Sequence, residues 1–271
     1  MSTPHHDTDP RDTSPHRTGP LDRRAAAVAI EDTGTDEEVW RHDEQLHRTL
    51  PQRLPDGPVV VVAAHPDDEV LGFGGSIAML TAAGQPVHTA CLTDGEASHP
   101  HLAPDGRRQL AVRRRAELST ALGKVGPVNE LVHAGLPDTA LDTHEDRAAQ
   151  MLTGLLRAVA PRVCVAPWDQ DLHSDHEAAG RAAARACRRT GTRLWFYPVW
   201  MWHWARPGDT RVRWNALRLL PLTPEARIRK LAALACFTSQ LQPRDTAAGL
   251  GPVLPPEEMA HHTRAFETVI R

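Results

Sequence analysis

Asp56-Gly57-Pro58-Val59-Val60-Val61-Val62-Ala63-Ala64-His65-Pro66-Asp67-Asp68-Glu69 is the stretch on which the reading of the whole chain turns. A turn-forming Asp-Gly-Pro gives way to four consecutive valines, and these to an imidazole and three carboxylates packed into five positions. β-branched side chains are at home in extended backbone, and an apolar run without polar alternation predicts a strand, Val59 to Ala63, covered on both faces. Such a strand belongs at the centre of a parallel sheet. Beyond it, Gly72-Phe73-Gly74-Gly75 leads into a stretch of helical periodicity, Ser76 to Ala83.

The alternation continues along the chain. Val87 to Leu92, Glu130 to Ala134, Val163 to Ala166 and Arg193 to Pro198 read as strands. Arg108 to Leu122, Asp146 to Val159 and His176 to Arg188 read as helices between them. One or two further strands are expected around Arg211 to Leu220, and a last long helix from Pro224 to Ser239. Strands alternating with helices, each strand too continuously apolar to have a wet face, predict an α/β fold. This is a Rossmann-like, mostly parallel sheet with right-handed crossovers and helices on both faces. Residues 1–35 mix Pro, Asp, Thr, His and Arg with little apolar content and are expected to be a disordered polar tail. Glu37 to Leu50 is expected to form one short helix, and residues 36–271 a single domain.

Composition narrows the functional classes. The chain has 271 residues, 41% of them hydrophobic, enough for a substantial core, and a net charge of −3 with arginines scattered along its length. No basic stripe is present to track a phosphate backbone, so nucleic acid is not an expected partner. No apolar run approaches the ~20 residues that span a bilayer, and the amino-terminal stretch has no signal-like apolar region, so neither a membrane nor export is expected. Four cysteines, Cys91, Cys164, Cys187 and Cys236, stand apart without CxxC spacing and read as buried thiols in a cytoplasmic protein.

Two segments carry chemistry. The carboxylates of Ala64-His65-Pro66-Asp67-Asp68-Glu69 repel one another unless a positive group sits among them. The loop that holds them falls at the carboxyl end of a strand, where open α/β sheets have their functional crevice. Trp168-Asp169-Gln170-Asp171-Leu172-His173-Ser174-Asp175-His176 follows the Val163 to Ala166 strand and opens onto the same sheet edge. Histidines and carboxylates from two converging loops supply a mixed nitrogen and oxygen set, and three such ligands leave zinc an open position for water. That describes a hydrolytic site.

The pairing of AHPDDE after a buried strand with HSDH about a hundred residues later resembles the LmbE-like (PIG-L) family of zinc-dependent de-N-acetylases, over roughly residues 58 to 240. The resemblance implies a Rossmann-like fold and removal of an acetyl group from an amino-sugar conjugate of the N-acetylglucosaminyl type. It implies zinc, with ferrous iron as the alternative, held by His65, Asp68 and His176. By the same resemblance Asp67 is the general base, His173 in its protonated form faces the oxyanion and the leaving amine, and Asp175 orients His173. Arg114 matches a family arginine near the substrate, and Asp138 lies in the loop after the third strand; both are candidate sugar contacts, though a helical run of arginines is also how a solvated face looks. A homo-oligomer is left open.

Other residues have plainer readings. Glu69 is expected to accept a bond from a backbone amide or a ligand histidine rather than to catalyse, and Asp94 lies at the same sheet edge, open to the same sugar-contact or solvated readings as Asp138. Gly72-x-Gly74-Gly75 lacks the third glycine of a dinucleotide fingerprint, since position 77 is Ile, and is expected to let the backbone turn beside the metal loop. Trp195 to Trp204 holds four tryptophans and the single tyrosine; these are expected in the core, with one ring near a pocket mouth. Three rival functions remain: an amidase acting on a thiol or natural-product conjugate, a metal-dependent phosphoesterase and a non-catalytic binding module. Histidine ligands weigh against the phosphoesterase, because Mg²⁺ prefers oxygen. Asp67 and His173 weigh against the binding module, which needs neither.

Overall fold

The valine run forms β1 (Val59–Ala63), and all five of its residues are buried. The computed structural model in which it is seen describes residue 30 and residues 32–271. β1 pairs in parallel with β2 (Val87–Thr93), Val59 opposite Val87, and on its other side with β4 (Val163–Pro167), Val59 opposite Val163. β3 (Glu130–Leu136) extends the parallel array beyond β2, and β5 (Arg193–Tyr197) beyond β4. Two more strands, β6 (Leu217–Pro221) and β7 (Phe266–Ile270), complete the order β3-β2-β1-β4-β5-β7-β6, with β7 antiparallel to both neighbours.

Alternation along β1 builds the two cores. Val59, Val61 and Ala63 face one side, where they meet Phe73 and Ile77 of α1 (Asp68–Ala82), Leu118 and Leu122 of α2 (Pro104–Val125) and Ala233 from the carboxyl-terminal part of the chain. Val60 and Val62 face the other, against Leu152 and Leu156 of α3 (Glu145–Val159) and Ala179 and Ala183 of α4 (Ser174–Thr190). Each buried valine contributes about 1.5–3 kcal/mol by leaving water. Ala178, Ala179, Ala182 and Ala183 keep α4 thin, and at Gly180 a Cβ would lie 2.6 Å from the Pro167 carbonyl oxygen, so the helix rides directly on the end of β4. That contact fixes where α4 starts, and with it the second motif.

Several expectations need correction. α1 begins at Asp68, eight residues before the expected Ser76, and Gly72, Gly74 and Gly75 lie inside it. They make no turn. A Cβ at Gly72 would stand 2.1 Å from the Tyr197 ring and one at Gly75 2.5 Å from Leu222, so the missing side chains admit close approach. The expected helix over residues 37–50 is two short ones, Glu37–Arg41 and Glu44–His47. The final helix ends early, as α5 (Pro224–Leu234), followed by Thr238–Leu241. β7 and the short helix Pro256–His261 were not foreseen. Of the expected disordered stretch, residues 1–29 and 31 lie outside the described residues; Thr35 donates its N–H to the His203 carbonyl at 2.7 Å. Among the described residues no helix is long and apolar enough to cross a membrane.

Candidate active site

β1 and β4 are neighbours whose chains continue to opposite sides of the sheet, so a crevice opens beyond their carboxyl ends. The first motif leaves β1 into that crevice, and the second leaves β4 into it. Asp68, in the first turn of α1, anchors the first loop: its Oδ2 accepts the N–H groups of Ala64 at 3.0 Å and His65 at 2.8 Å. Its Oδ1 lies 3.2 Å from His176 Nε2, and His65 Nδ1 lies 3.5 Å from Oδ2. The three expected metal ligands therefore meet, although they come from segments more than a hundred residues apart.

The outer nitrogen of each histidine is held by carboxylates. His176 Nδ1 faces Asp171 Oδ2 at 2.8 Å; His65 Nε2 faces Asp175 Oδ2 at 3.2 Å and Asp138 Oδ1 at 3.3 Å. This is how proteins fix the orientation and tautomer of a metal-ligating imidazole. Although burial disfavours their charged forms, the surrounding carboxylates raise His65 well above its ordinary value and push His176 up to about 9. Asp68, despite burial, is held well below the carboxylate range by His176 and His65. A cluster that draws protons this strongly is one that suits a cation.

Two donor sets have all their atoms within 4.8 Å of one another, His65/His173/His176 and His65/Asp138/Asp175. Asp138 and Asp175 are already occupied, since Asp138 accepts the Ala97 N–H at 2.7 Å and Asp175 accepts those of Thr139 at 2.7 Å and Leu141 at 3.1 Å. His65 Nδ1, Asp68 and His176 Nε2 lie together with His173 beside them, and a mixed set of imidazole and carboxylate donors of this kind fits zinc or ferrous iron.

Asp67 belongs to no ligand pair. Burial raises its carboxyl to about 6, against the pull of Arg114, whose Nη2 lies 2.9 Å from Oδ2. Arg114 is itself buried and also donates to the Gly95 and Pro66 carbonyls, so it braces Asp67 while lining the same cavity. Asp138, the other expected sugar contact, sits behind His65; despite burial, His65 keeps its carboxyl well below the usual range. Asp175 also needs correction. Its carboxylate orients His65, and only its backbone N–H reaches His173, donating to Nδ1 at 3.3 Å. His173 is neutral rather than protonated, because burial and the neighbouring His176 and His65 lower it to about 3. With Nδ1 accepting, its hydrogen resides on Nε2.

Backbone strain concentrates at these loops. Thr139 and Leu172 adopt positive φ, 64° and 58°. This conformation is uncommon for any residue but glycine, most of all for the β-branched Thr139, and costs on the order of 1–3 kcal/mol. Thr139 thereby aims its N–H at Asp175. Asp171 escaped the sequence reading as a functional residue. It is fully buried and accepts N–H groups from Val199, Trp200 and Met201 as well as facing His176. Its position five residues before His176, in the same polar run, was the available signal. Glu69 is fully buried and, by burial first, raised well above its ordinary value, a structural acid. Asp94 is spent on Arg115, 2.7 Å from its Nε.

The candidate ligands, Asp67 and His173 line one cavity of about 600 Å³. His65, Asp67, Asp68, His173 and His176 form one wall, and Trp200 stands beside them with its ring stacked 6.5 Å from His173. Trp195, Tyr197 and Trp202 are in the core, Trp204 is half-buried against it, and Trp200 is the ring that lines the cavity. Residues between 240 and 258 supply further lining.

The family model described as PIG-L: GlcNAc-PI de-N-acetylase matches residues 60–187, a span that runs from β1 through α4 and holds both motifs. A protein of Bacillus cereus named "Probable N-acetyl-alpha-D-glucosaminyl L-malate deacetylase 2" is 34% identical over 139 residues, covering 48% of this chain and 61% of that protein. A 1D-myo-inositol 2-acetamido-2-deoxy-alpha-D-glucopyranoside deacetylase of Salinispora arenicola is 33% identical over 157 residues, 49% of this chain and 51% of that protein. The chain thus spans between half and three-fifths of the length of these relatives. The crystal structure of a conserved protein from Thermus thermophilus shares the fold, with a TM-score of 0.52 at 28% identity, covering 67% of this chain and 79% of that one.

Proposed function

From the match of residues 60–187 to the PIG-L family model, we propose that the chain hydrolyses the N-acetyl amide of an amino-sugar conjugate. The observation that carries this reading is the meeting of His65 Nδ1, Asp68 and His176 Nε2 beside an Asp67 left outside the ligand set, all on the wall of one cavity. Zinc bound by those three residues would supply a water of pKa about 7 and a polarised amide carbonyl. The chain does the rest. Asp67, near pH 6 in its titration and fixed by Arg114, takes the proton of the attacking water and returns it to the departing amine. His173, neutral with its hydrogen on Nε2, donates to the oxygen on which negative charge develops. Asp138 and Asp175 hold His65, and Asp171 holds His176, so each ligand nitrogen presents its lone pair inward. Four free cysteines accord with a cytoplasmic setting.

The test is release of free amine from N-acetylglucosaminyl conjugates, with and without a chelator. Asp67→Asn should keep its metal and lose about 10²–10⁴ in turnover. Amine release that survives chelation, or equal rates for Asp67→Asn and the unaltered chain, removes this reading. Hydrolysis of phosphate esters with stoichiometric Mg²⁺ would favour the phosphoesterase instead.

A further inference from the structure

The family model covers residues 60–187, yet side chains from both sides of that span line the cavity. Ile30 comes from ahead of it, and His203 and Glu258 from beyond it. The residues that follow Ile30 are tied to the short helix Met201–Trp204. Thr35 donates its N–H to the His203 carbonyl at 2.7 Å and its hydroxyl to the Ala205 carbonyl at 2.5 Å, and Trp40 Nε1 donates to the Trp202 carbonyl at 2.8 Å. Glu37, buried between them, accepts Arg264 Nε at 2.8 Å and lies 2.7 Å from His261 Nδ1. Residues 32–41 thus form a strap fastened to two elements that line the cavity, the Met201–Trp204 helix and the Pro256–His261 helix.

His203 sits where strap, helix and cavity meet. Its Nδ1 lies 3.1 Å from Glu258 Oε2, and its Nε2 3.0 Å from the Asp32 carbonyl oxygen. A carboxylate and a carbonyl only accept, and a neutral imidazole carries one hydrogen, so both contacts are made together only by the imidazolium. The bond to Glu258 raises the His203 pKa above its ordinary value, against burial, and the charge of Asp32 adds to the pull. Glu258 also faces His262 Nε2 at 3.1 Å, and the Trp200 ring packs edge-on 5.8 Å from His203. When the imidazolium loses a proton, the remaining hydrogen stays with the carboxylate, the stronger acceptor, and the Nε2 lone pair is turned on the Asp32 carbonyl. The end of the strap is then repelled. The fit also demands a residue without a side chain, because a Cβ at Gly34 would stand 2.4 Å from His203 Nδ1.

We propose that charged His203 is a latch, holding the strap of residues 32–41, with Ile30 ahead of it, against the cavity, and that ligand binds more tightly with the latch closed than open. A pKa raised by folding means that the latch is fully closed below the ordinary histidine value of 6.5 and opens as pH rises through the raised value. The choice of ligand rests on the N-deacetylase reading, but the state of the latch is read without turnover.

Amide hydrogen exchange of residues 32–40, measured by mass spectrometry in the full chain and corrected for its intrinsic pH dependence, reports the latch directly. Protection there should fall about tenfold as the latch opens, the worth of one hydrogen bond, while β1 stays protected throughout. Gly34→Ala and His203→Phe should lack that protection at every pH with unchanged circular dichroism, and Gly34→Ala does so with the imidazole and Glu258 both in place. Binding of the phenyl glycoside of N-acetylglucosamine, followed by calorimetry, should weaken about tenfold on opening, the loss of one buried apolar contact, and both variants should show the weak binding at all pH. Where amine is released, KM should follow the binding while kcat stays within about twofold of the unaltered chain at the same pH. Exchange in residues 32–40 that is the same below and above the titration of His203, or opening that leaves binding unchanged, overturns the proposal. A latch that opens and weakens binding with no amine released removes the hydrolase reading and leaves the latch standing.

Discussion

Asp171→Asn is the substitution whose consequences follow most fully from the geometry. Asp171 is buried, with Oδ2 2.8 Å from His176 Nδ1 and 3.0 Å from the Trp200 N–H, and Oδ1 2.8 Å from the Met201 N–H. An asparagine keeps the shape but has one acceptor where the carboxylate has two. If its oxygen faces Met201, its NH₂ group confronts His176 Nδ1, which must then accept. The imidazole hydrogen is thereby driven to Nε2, the atom that faces Asp68, and a protonated nitrogen cannot ligate. If the oxygen faces His176, the Met201 N–H loses its partner, and each buried orphan costs about 1–3 kcal/mol. Either way, loss of the carboxylate behind a ligating histidine lowers metal affinity by about 10–100-fold. The assay is competition with a fluorescent chelator at neutral pH, run beside circular dichroism to verify folding. A folded Asp171→Asn protein with affinity within twofold of the unaltered chain refutes the argument that Asp171 sets the tautomer of His176.

Lys230→Met should unfold the chain more easily, because Lys230 Nζ donates to the Leu71 carbonyl and to Glu267 Oε1, both at 2.7 Å, while Glu267 accepts the N–H groups of Gly75 and Ser76. This buried pair is spliced into the backbone ladder of α1, so removing one partner should cost about 3–5 kcal/mol and lower Tm by roughly 10 °C, with a shift below 3 °C counting against it. Acid should weaken the fold through Glu258: burial pushes its carboxyl up, but bonds to His203 and His262 outweigh this and lower it from 4.5 to about 2. A folded pKa below the unfolded one stabilises above pH 4.5 and is lost as pH falls towards 2, about 3 kcal/mol in order of magnitude. Glu258→Gln should flatten urea-denaturation stability over that window, and an unchanged slope would dismiss the pair.

Much of this architecture was legible because the decisive signals are local. Val59 to Ala63 can only be a doubly covered strand, and the polar runs after β1 and β4 fall at the same sheet edge once the alternation of strands and helices is accepted. What escaped depends on contacts between distant segments. Gly72, Gly74 and Gly75 lower helix propensity by about 1 kcal/mol each, so the first two turns of α1 were missed; contact with Tyr197 and Leu222 outweighs that cost. β7 was hidden by Glu267, its second residue, a charge that reads as a loop until Lys230 and the α1 backbone are seen to receive it. Adjacency also misleads about pairing: Asp175 stands two residues from His173, yet helical geometry at the start of α4 turns its carboxylate towards His65. Arg114 could not be told from a solvated arginine without the contact to Asp67.

The most direct test is a metal titration of the apo chain alongside His176→Ala, Asp68→Asn and His173→Ala. Binding of one zinc per chain is expected, weakened at least a hundredfold by His176→Ala and by Asp68→Asn, and left within a few fold by His173→Ala. Tight zinc binding that persists without Asp68 and disappears without His173 would contradict the ligand assignment, and the division of labour drawn from it.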